Sequence, residues 1–374
     1  MARVVRKYGG SSLKNADEIK HIASRLADMR WQGDDVVVVV SAMASTTDDL
    51  MKMAYSLHSD PSRREMDMLL SVGERVSCSL LALAIEAEGV GAVSYTGSQV
   101  GIITDTRHGE ARIVDIRPDR LLESIEKGLI AVIAGFQGVS TDKEITTLGR
   151  GGSDATAVAL AASINADRCE LMKDIDGLFT ADPNKVEDAR IIDRLDFDSA
   201  LRLAGSGATA LQFEAARIAR DHKVDIGIGN AKQDKIGTII TEAPFDCGDV
   251  IGIIRRDELV RKQGCGMAEN HDNCIQFVEN HGQWVTWRTA NTGEEAPYSG
   301  ITIITAGRPV SGLHEAVNSR FTDASIITFG TMDRPGEYWV CLKTEQADEA
   351  VRLVHDLCVE MRWMRKNGRS TGIC

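Results

Sequence analysis

The chain has 374 residues, enough for two or three domains, of which 43% are apolar and 26% charged, and its formal net charge is −12. That charge argues against nucleic acid or an anionic membrane surface as a partner, although a local basic pocket can still sit in an acidic protein. No apolar run reads as long enough to span a membrane, the basic N-terminus lacks the apolar core of a signal peptide, and the eight cysteines show no CxxC pair, so a cytoplasmic protein with reduced thiols is expected. Cys265 and Cys274 near His271 and His281 fit no zinc spacing, and no metal site is assigned.

Val4–Tyr8 reads as a short buried strand that runs into Gly9-Gly10-Ser11-Ser12, with a helix following from about Ala16 to Arg30 on the spacing of Ile19, Ile22, Ala23, Leu26 and Met29. A strand, a glycine loop and a helix start form a geometry that cradles anions, and Lys7 at the strand end can reach the same anion. Asp35–Ser41 is a continuous apolar run, as expected for a parallel strand covered on both faces, and it ends in the hydroxyl-rich Ser41-Ala-Met-Ala-Ser-Thr-Thr-Asp48 before another helix. Glu65–Ala87 is strongly helical. Gly73 inside it suggests a break or a close packing contact, and Glu74 next to it can face a cationic group on a ligand.

Val90–Thr96 and Val100–Thr104 read as strands, Leu121–Lys127 as a helix, and Leu129–Gly138 as another buried strand. Thr147-Leu-Gly-Arg-Gly-Gly-Ser-Asp-Ala-Thr156 follows and leads into an apolar helix. Ser153 is the expected N-cap, Asp154 sits in the first turn, and Arg150 offers a planar fork to a carboxylate or phosphate. Asp167–Lys173 is a strand ending in Asp174-Ile-Asp-Gly-Leu-Phe-Thr-Ala-Asp-Pro183. Helices over 197–204 and 208–222 precede strands over 224–228 and 237–241, and Lys232 lies in the turn between those strands. The alternation predicts a mainly parallel three-layer α/β sheet. After Glu242 the pattern changes to strand 300–306, helix 312–321, strands 324–329 and 337–342, and helix 346–360, most of a ferredoxin-like unit, with 250–287 as a second, degenerate copy. The tail 362–374 is polar and reads as frayed.

Five stretches occur here in the order of one family: Lys7–Ser12, Ser41–Asp48, Leu70–Ser77, Gly149–Asp154 and Asp174–Pro183. Together they resemble aspartate kinase, of the amino-acid kinase superfamily. The resemblance implies a three-layer αβα kinase domain over 1–243 and a divergent regulatory region over 244–374 made of two ferredoxin-like, ACT-type units. It implies ATP and Mg²⁺ as cofactors, L-aspartate as substrate, and a homodimer or larger assembly formed through the ACT-like region. Lys7, Gly9 and Gly10 would hold the phosphoryl group, Lys7, Gly10 and Ser11 would bind the nucleotide, and Asp154 would serve both catalysis and the amino-acid pocket. Arg150 would clamp the substrate carboxylate, Glu74 would meet its ammonium, and Ser41, Thr47 and Ser153 would complete the pocket. Lys173, Asp174, Phe179, Asp182 and Lys232 would contact the nucleotide. The implied reaction converts the side-chain carboxylate of aspartate to an acyl phosphate. A kinase for another amino-acid carboxylate, or a catalytically weak ligand-binding regulatory subunit, are the alternatives.

Three segments depart from the family's usual pattern. Met172-Lys173 replaces Tyr-Thr, Leu211–Glu214 replaces a Leu-His-Pro segment, and Gly227–Asn230 replaces Val-Arg-Ser-Ser. All bear on the nucleotide half. Asp333-Arg-Pro-Gly336 falls between two strands rather than before a helix, so weak or absent inhibition by lysine or threonine is expected.

Overall fold

The computed structural model describes residues 2–208, 210–242, 250–265, 274–279, 283–290, 294–307, 310–334 and 336–364. The cysteines and histidines at 265–281 and most of the polar tail lie outside the described side chains. The chain forms two compact units: Met1–Leu178 with Ala210–Pro244, and Phe179–Thr209 with Phe245–Cys374. The division differs from a single cut near 243, because 179–209 belongs to the second unit, where Ala181 and Val186 enter its core.

In chain order the first elements are β1 (Arg3–Tyr8), α1 (Ala16–Trp31), β2 (Asp35–Val40), α2 (Thr46–Leu57), α3 (Arg63–Ala87), β3 (Ala92–Tyr95), β4 (Ile102–Thr104) and β5 (Ile113–Ile116). They continue as α4 (Asp119–Glu126), β6 (Ile130–Ala134), β7 (Gln137–Ser140), β8 (Ile145–Thr147), α5 (Gly152–Ser163) and β9 (Arg168–Lys173). Then come β10 (Arg194–Asp196), α6 (Phe197–Gly205), α7 (Phe213–His222), β11 (Ile226–Asn230) and β12 (Lys235–Thr241). The remainder is β13 (Val250–Cys265), β14 (Cys274–Glu279), β15 (Gln283–Thr289), β16 (Tyr298–Thr305), α8 (Leu313–Asp323), β17 (Thr328–Arg334), β18 (Glu337–Lys343) and α9 (Ala347–Glu360).

In the first unit the strands lie in the order β12-β11-β9-β1-β2-β6-β3, parallel throughout except for the β11–β12 hairpin. Val36–Val40 and Ile130–Ala134 are buried on both faces, which is why those strands are continuous apolar runs rather than alternating ones. On one face Val4, Tyr8, Val36, Val38 and Val40 pack with Ile19, Ile22 and Leu26 of α1 and with Leu81 and Ile85 of α3. On the other, α5 packs against β1 and β2. It is apolar all round and buried from Gly152 to Ala161, as a helix between a sheet and α7 must be. The three-layer expectation therefore holds. A smaller sheet, β5-β4-β7-β8, sits after the strand ends; β5 and the β7–β8 hairpin carry no strong periodicity and are absent from the sequence reading.

Helix α3 is continuous through Gly73. A Cβ there would stand 2.7 Å from Ala42 Cβ, so the glycine serves close packing and not a break. Gly73→Val is expected to cost about 2 kcal/mol or more of stability through overpacking, read as a lowered urea midpoint; an unchanged midpoint would show that the α3–Ala42 contact is loose. By length and composition α3 is also apolar enough to cross a membrane, contrary to the sequence expectation, although half of that stretch is buried in the fold. Cys78, Cys169 and Cys358 are buried free thiols, and Cys341 is buried as well.

The expected helix at 208–222 begins only at Phe213, after an extended Gln212. In the second unit the sheet order is β14-β15-β13-β16-β18-β17. Within it β16-α8-β17-β18-α9 is the expected ferredoxin-like run, and β13, antiparallel to β16, fills the fourth strand position. The expected strand at 324–329 is shifted to Thr328–Arg334, because Ser325 turns left-handed (φ 56°) beyond the end of α8. The degenerate first copy corresponds to β13, β14 and β15, which extend this same sheet.

Candidate functional site

The carboxyl ends of β1, β2, β6 and β9 converge on the start of α5, the usual ligand position of an open α/β sheet. Gly135, at the end of β6, lets this happen: a Cβ there would stand 3.0 Å from Ser153 Cβ. Ser153 is not the N-cap. Gly151 holds that place at φ 76°, and Gly149 has φ 73°, so two left-handed residues bracket Arg150 and no side chain caps the helix.

Asp154, 2% exposed, lies between two lysines. Lys7 Nζ, from β1, is 2.6 Å from Oδ1 as an ion pair outside hydrogen-bond alignment, and Lys173 Nζ, from β9, donates to Oδ2 at 2.6 Å. Burial pushes the Asp154 carboxyl up, but Lys7 and then Lys173 outweigh it and hold the group below its ordinary range. Burial, reinforced by Lys7, lowers the Lys173 ammonium, with Asp154 opposing. Two cations on one carboxylate leave a net positive charge in a buried place, an arrangement suited to a polyanion. Lys173 lies in one of the three segments that depart from the family pattern, and the register of β9 brings it to Asp154 as a second cation.

The glycine loop meets Lys7: a Cβ at Gly9 would lie 3.8 Å from Lys7 Nζ. At Gly10 a Cβ would collide with the Ala42 carbonyl, so only glycine lets the loop approach the end of β2. The loop does not run directly into α1. Gly10–Ser12 forms a 3₁₀ turn, and Asn15 Oδ1 takes the α1 amides of Asp17 and Glu18.

Glu74, 4% exposed, accepts from Ala42 N at 3.1 Å through Oε1, while Oε2 is buried without a hydrogen-bond partner. Burial pushes its carboxyl up to about 7, against the lowering effects of the Ala42 amide and Lys7. Ser41 binds the end of β1 through its amide (to Tyr8 O, 3.1 Å), and Thr47 lies in the first turn of α2.

Ser11, Lys173, Asp174 and Lys232 line one cavity of about 60 Å³, together with Lys14 and His21, which sequence reasoning did not single out. The Lys232 turn is braced: Asn230 Oδ1 accepts from Lys232 N and Gln233 N (2.9 and 3.2 Å), and Arg25 donates to the carbonyls of Ala231 and Lys232. Arg150 lies elsewhere, exposed, on a cavity of about 170 Å³ with Glu110, Leu148 and Glu214. Phe179 and Asp182 belong to the second unit. Phe179 bridges to Ile191, and Asp182 Oδ1 accepts from Asn184 N at 2.9 Å. Among the described residues no group of three or more His, Cys, Asp or Glu side chains could hold a metal.

The family model for the amino acid kinase family matches residues 2–230. The chain belongs to the amino acid kinase family. Among its relatives, this family member is 51% identical over 241 residues to the aspartokinase of Mycolicibacterium smegmatis, covering 64% of this chain and 57% of that protein. It is 44% identical over 263 residues to aspartokinase 2 of Bacillus subtilis, covering 70% and 64%. The chain thus spans less than two thirds of the length of the curated relatives it matches. Its fold is that of E. coli aspartokinase III solved with aspartate and ADP, at a TM-score of 0.82, 19% identity and coverage of 95% and 99% of the two chains.

Proposed function

We propose that this amino acid kinase transfers the γ-phosphoryl group of ATP to the side-chain carboxylate of L-aspartate. The observation that carries the reading is the buried Lys7–Asp154–Lys173 cluster beside the glycine loop. The names of the relatives narrow the acceptor to aspartate. A carboxylate oxygen attacks the γ-phosphorus, the bond from that phosphorus to the β–γ bridging oxygen breaks, and ADP leaves. The acceptor is already ionised near neutral pH, so no general base is required. The protein's work is then positioning and neutralisation of charge spreading over the transferred group. Lys7, Lys173 and the turn at Gly9, Gly10 and Ser11 supply that neutralisation. Asp154 acts as the strut that sets the two lysines.

Arg150 and Glu74 are assigned the carboxylate and ammonium of the amino acid, with Ser41, Thr47 and Ser153 around them. Asp174 and Lys232, which line one cavity with Ser11 and Lys173, are assigned to the nucleotide. The donor set fits Mg²⁺ carried in by the nucleotide: such ions take one or two carboxylates and otherwise phosphate oxygens and water, and Asp174 is an exposed carboxylate at the end of β9. Bound there, the ion would neutralise phosphate charge. The ferredoxin-like unit is the assigned regulatory and self-association region. ADP release by the purified chain with a panel of acidic amino acids tests the proposal. Stimulation by aspartate above the others is expected, whereas stimulation by none would defeat it and favour a regulatory subunit.

Glu74 gives the reading a pH signature. Its carboxyl is neutral below about 7 and ionised above it, and only the ionised form attracts an ammonium. The KM for the amino acid is expected to rise about tenfold per pH unit below that point, a slope that Glu74→Gln removes. A pH-independent KM in the parent protein would contradict the assignment. The same upward shift lowers folding stability as pH climbs from the ordinary 4.5 to about 7, since the folded state holds the proton more tightly than the unfolded one.

A further inference from the structure

Asp67 lies two helical turns before Glu74, on the same face of α3, and is 1% exposed. A buried carboxylate needs strong partners, and those of Asp67 include the 108–109 turn and the end of β8. Its Oδ1 accepts from Thr147 Oγ1 at 2.5 Å and from Gly109 N at 3.1 Å, and its Oδ2 lies 2.6 Å from His108 Nδ1. Thr147 ends β8 and directly precedes Leu148-Gly149-Arg150. The two loops also bind each other: Ala111 N donates to Thr147 O at 2.9 Å, and a Cβ on Gly149 would meet Gly109 O at 3.3 Å. From its second turn, α3 therefore holds the base of the arginine loop, while from its fourth it presents Glu74.

We propose that Asp67 is a positioning residue for amino-acid recognition. It pins Thr147 and the His108–Gly109 turn so that Arg150 is presented at a fixed distance from Glu74, with α3 as the spacer between the sites for the two charged ends of the substrate. The proposal rests on the reading of Arg150 and Glu74 as the amino-acid contacts. It assigns Asp67, His108 and Thr147 no contact with substrate, and none with nucleotide.

The test uses Asp67→Asn, Thr147→Val and Thr147→Ser in the full chain. Amide hydrogen exchange reads the pinning without substrate. Asp67→Asn is expected to speed exchange over 147–152 and 107–111 and to leave the Glu74 turn of α3 unchanged; unaltered exchange in those loops would overturn the proposal whatever the protein's activity. In steady-state kinetics, Asp67→Asn and Thr147→Val are expected to raise the amino-acid KM roughly tenfold, the scale of one lost hydrogen bond to a charged group. The ATP KM should stay put, and Thr147→Ser should restore the parent value because it keeps the hydroxyl. An amino-acid KM unchanged despite faster exchange, or the two KM values rising together with no rescue by serine, would overturn it. Absence of any aspartate-dependent turnover in the parent protein is a separate result: it defeats the kinase reading, and exchange still judges the pinning.

Discussion

Replacing Lys7 by alanine is expected to lower kcat by about a thousandfold, equivalent to about 4 kcal/mol of transition-state stabilisation, while the amino-acid KM stays within about twofold. The reason lies in where the ammonium sits. It is buried at the end of β1, beside the glycine turn and against Asp154, so under the proposed function it would meet the transferring group in a place where water cannot substitute for it. The variant should fold, because Asp154 keeps Lys173 as a partner at 2.6 Å. Lys173→Met should show a smaller loss of turnover with a weaker ATP KM, since that lysine also lines the cavity shared with Ser11, Asp174 and Lys232. Steady-state kinetics over both substrates, with a melting curve for each variant, checks this. Parent-like turnover in Lys7→Ala would remove Lys7 from the chemistry.

Replacing Arg150 by alanine is expected to act in the opposite way, raising the amino-acid KM about a hundredfold with a modest change in kcat. Arg150 is exposed on its own cavity and supports no part of the core, so the loss falls on binding. A bidentate arginine–carboxylate pair that closes on substrate is worth about 2 to 3 kcal/mol, which sets the scale. Arg150→Lys should recover little of it, because an ammonium cannot reproduce the planar fork. Direct calorimetric titration with aspartate measures the effect. Unchanged affinity in Arg150→Ala would place the carboxylate elsewhere and would also remove the reason for the Asp67 pinning.

Much of this arrangement was legible in the residues. Val36–Val40 and Ile130–Ala134 declare buried parallel strands because nothing polar interrupts them. The Gly149–Asp154 loop stands out because it places an arginine and an aspartate where a plain turn needs neither; Lys7 and Glu74 stand out only through the order of the five motifs. What was not legible came from contacts far apart in sequence. Lys173 read as a departure at a nucleotide position, and only the register of β9 beside β1 brings it to Asp154. Asp67 read as part of an ordinary helix start; its spacing of seven from Glu74 was the available signal, but its partners at 108, 109 and 147 depend on the small β5-β4-β7-β8 sheet, whose short strands leave no periodicity. Ser153 was mistaken for a cap because Gly151, in a left-handed conformation, had already started the helix. Residues 179–209 read as a continuation of the first domain, and the hydrophobic partners that place Ala181 and Val186 in the second core lie at 250 and beyond.

Under the proposed function a carboxylate, and specifically that of aspartate, receives the phosphoryl group. Trapping with hydroxylamine tests it most directly, because hydroxylamine converts an acyl phosphate to a hydroxamate and leaves phosphate monoesters untouched. The purified chain with ATP, Mg²⁺ and L-aspartate is predicted to form aspartyl hydroxamate in step with ADP, with far less product from L-glutamate. ADP release without hydroxamate, or hydroxamate from glutamate and not from aspartate, would contradict the account.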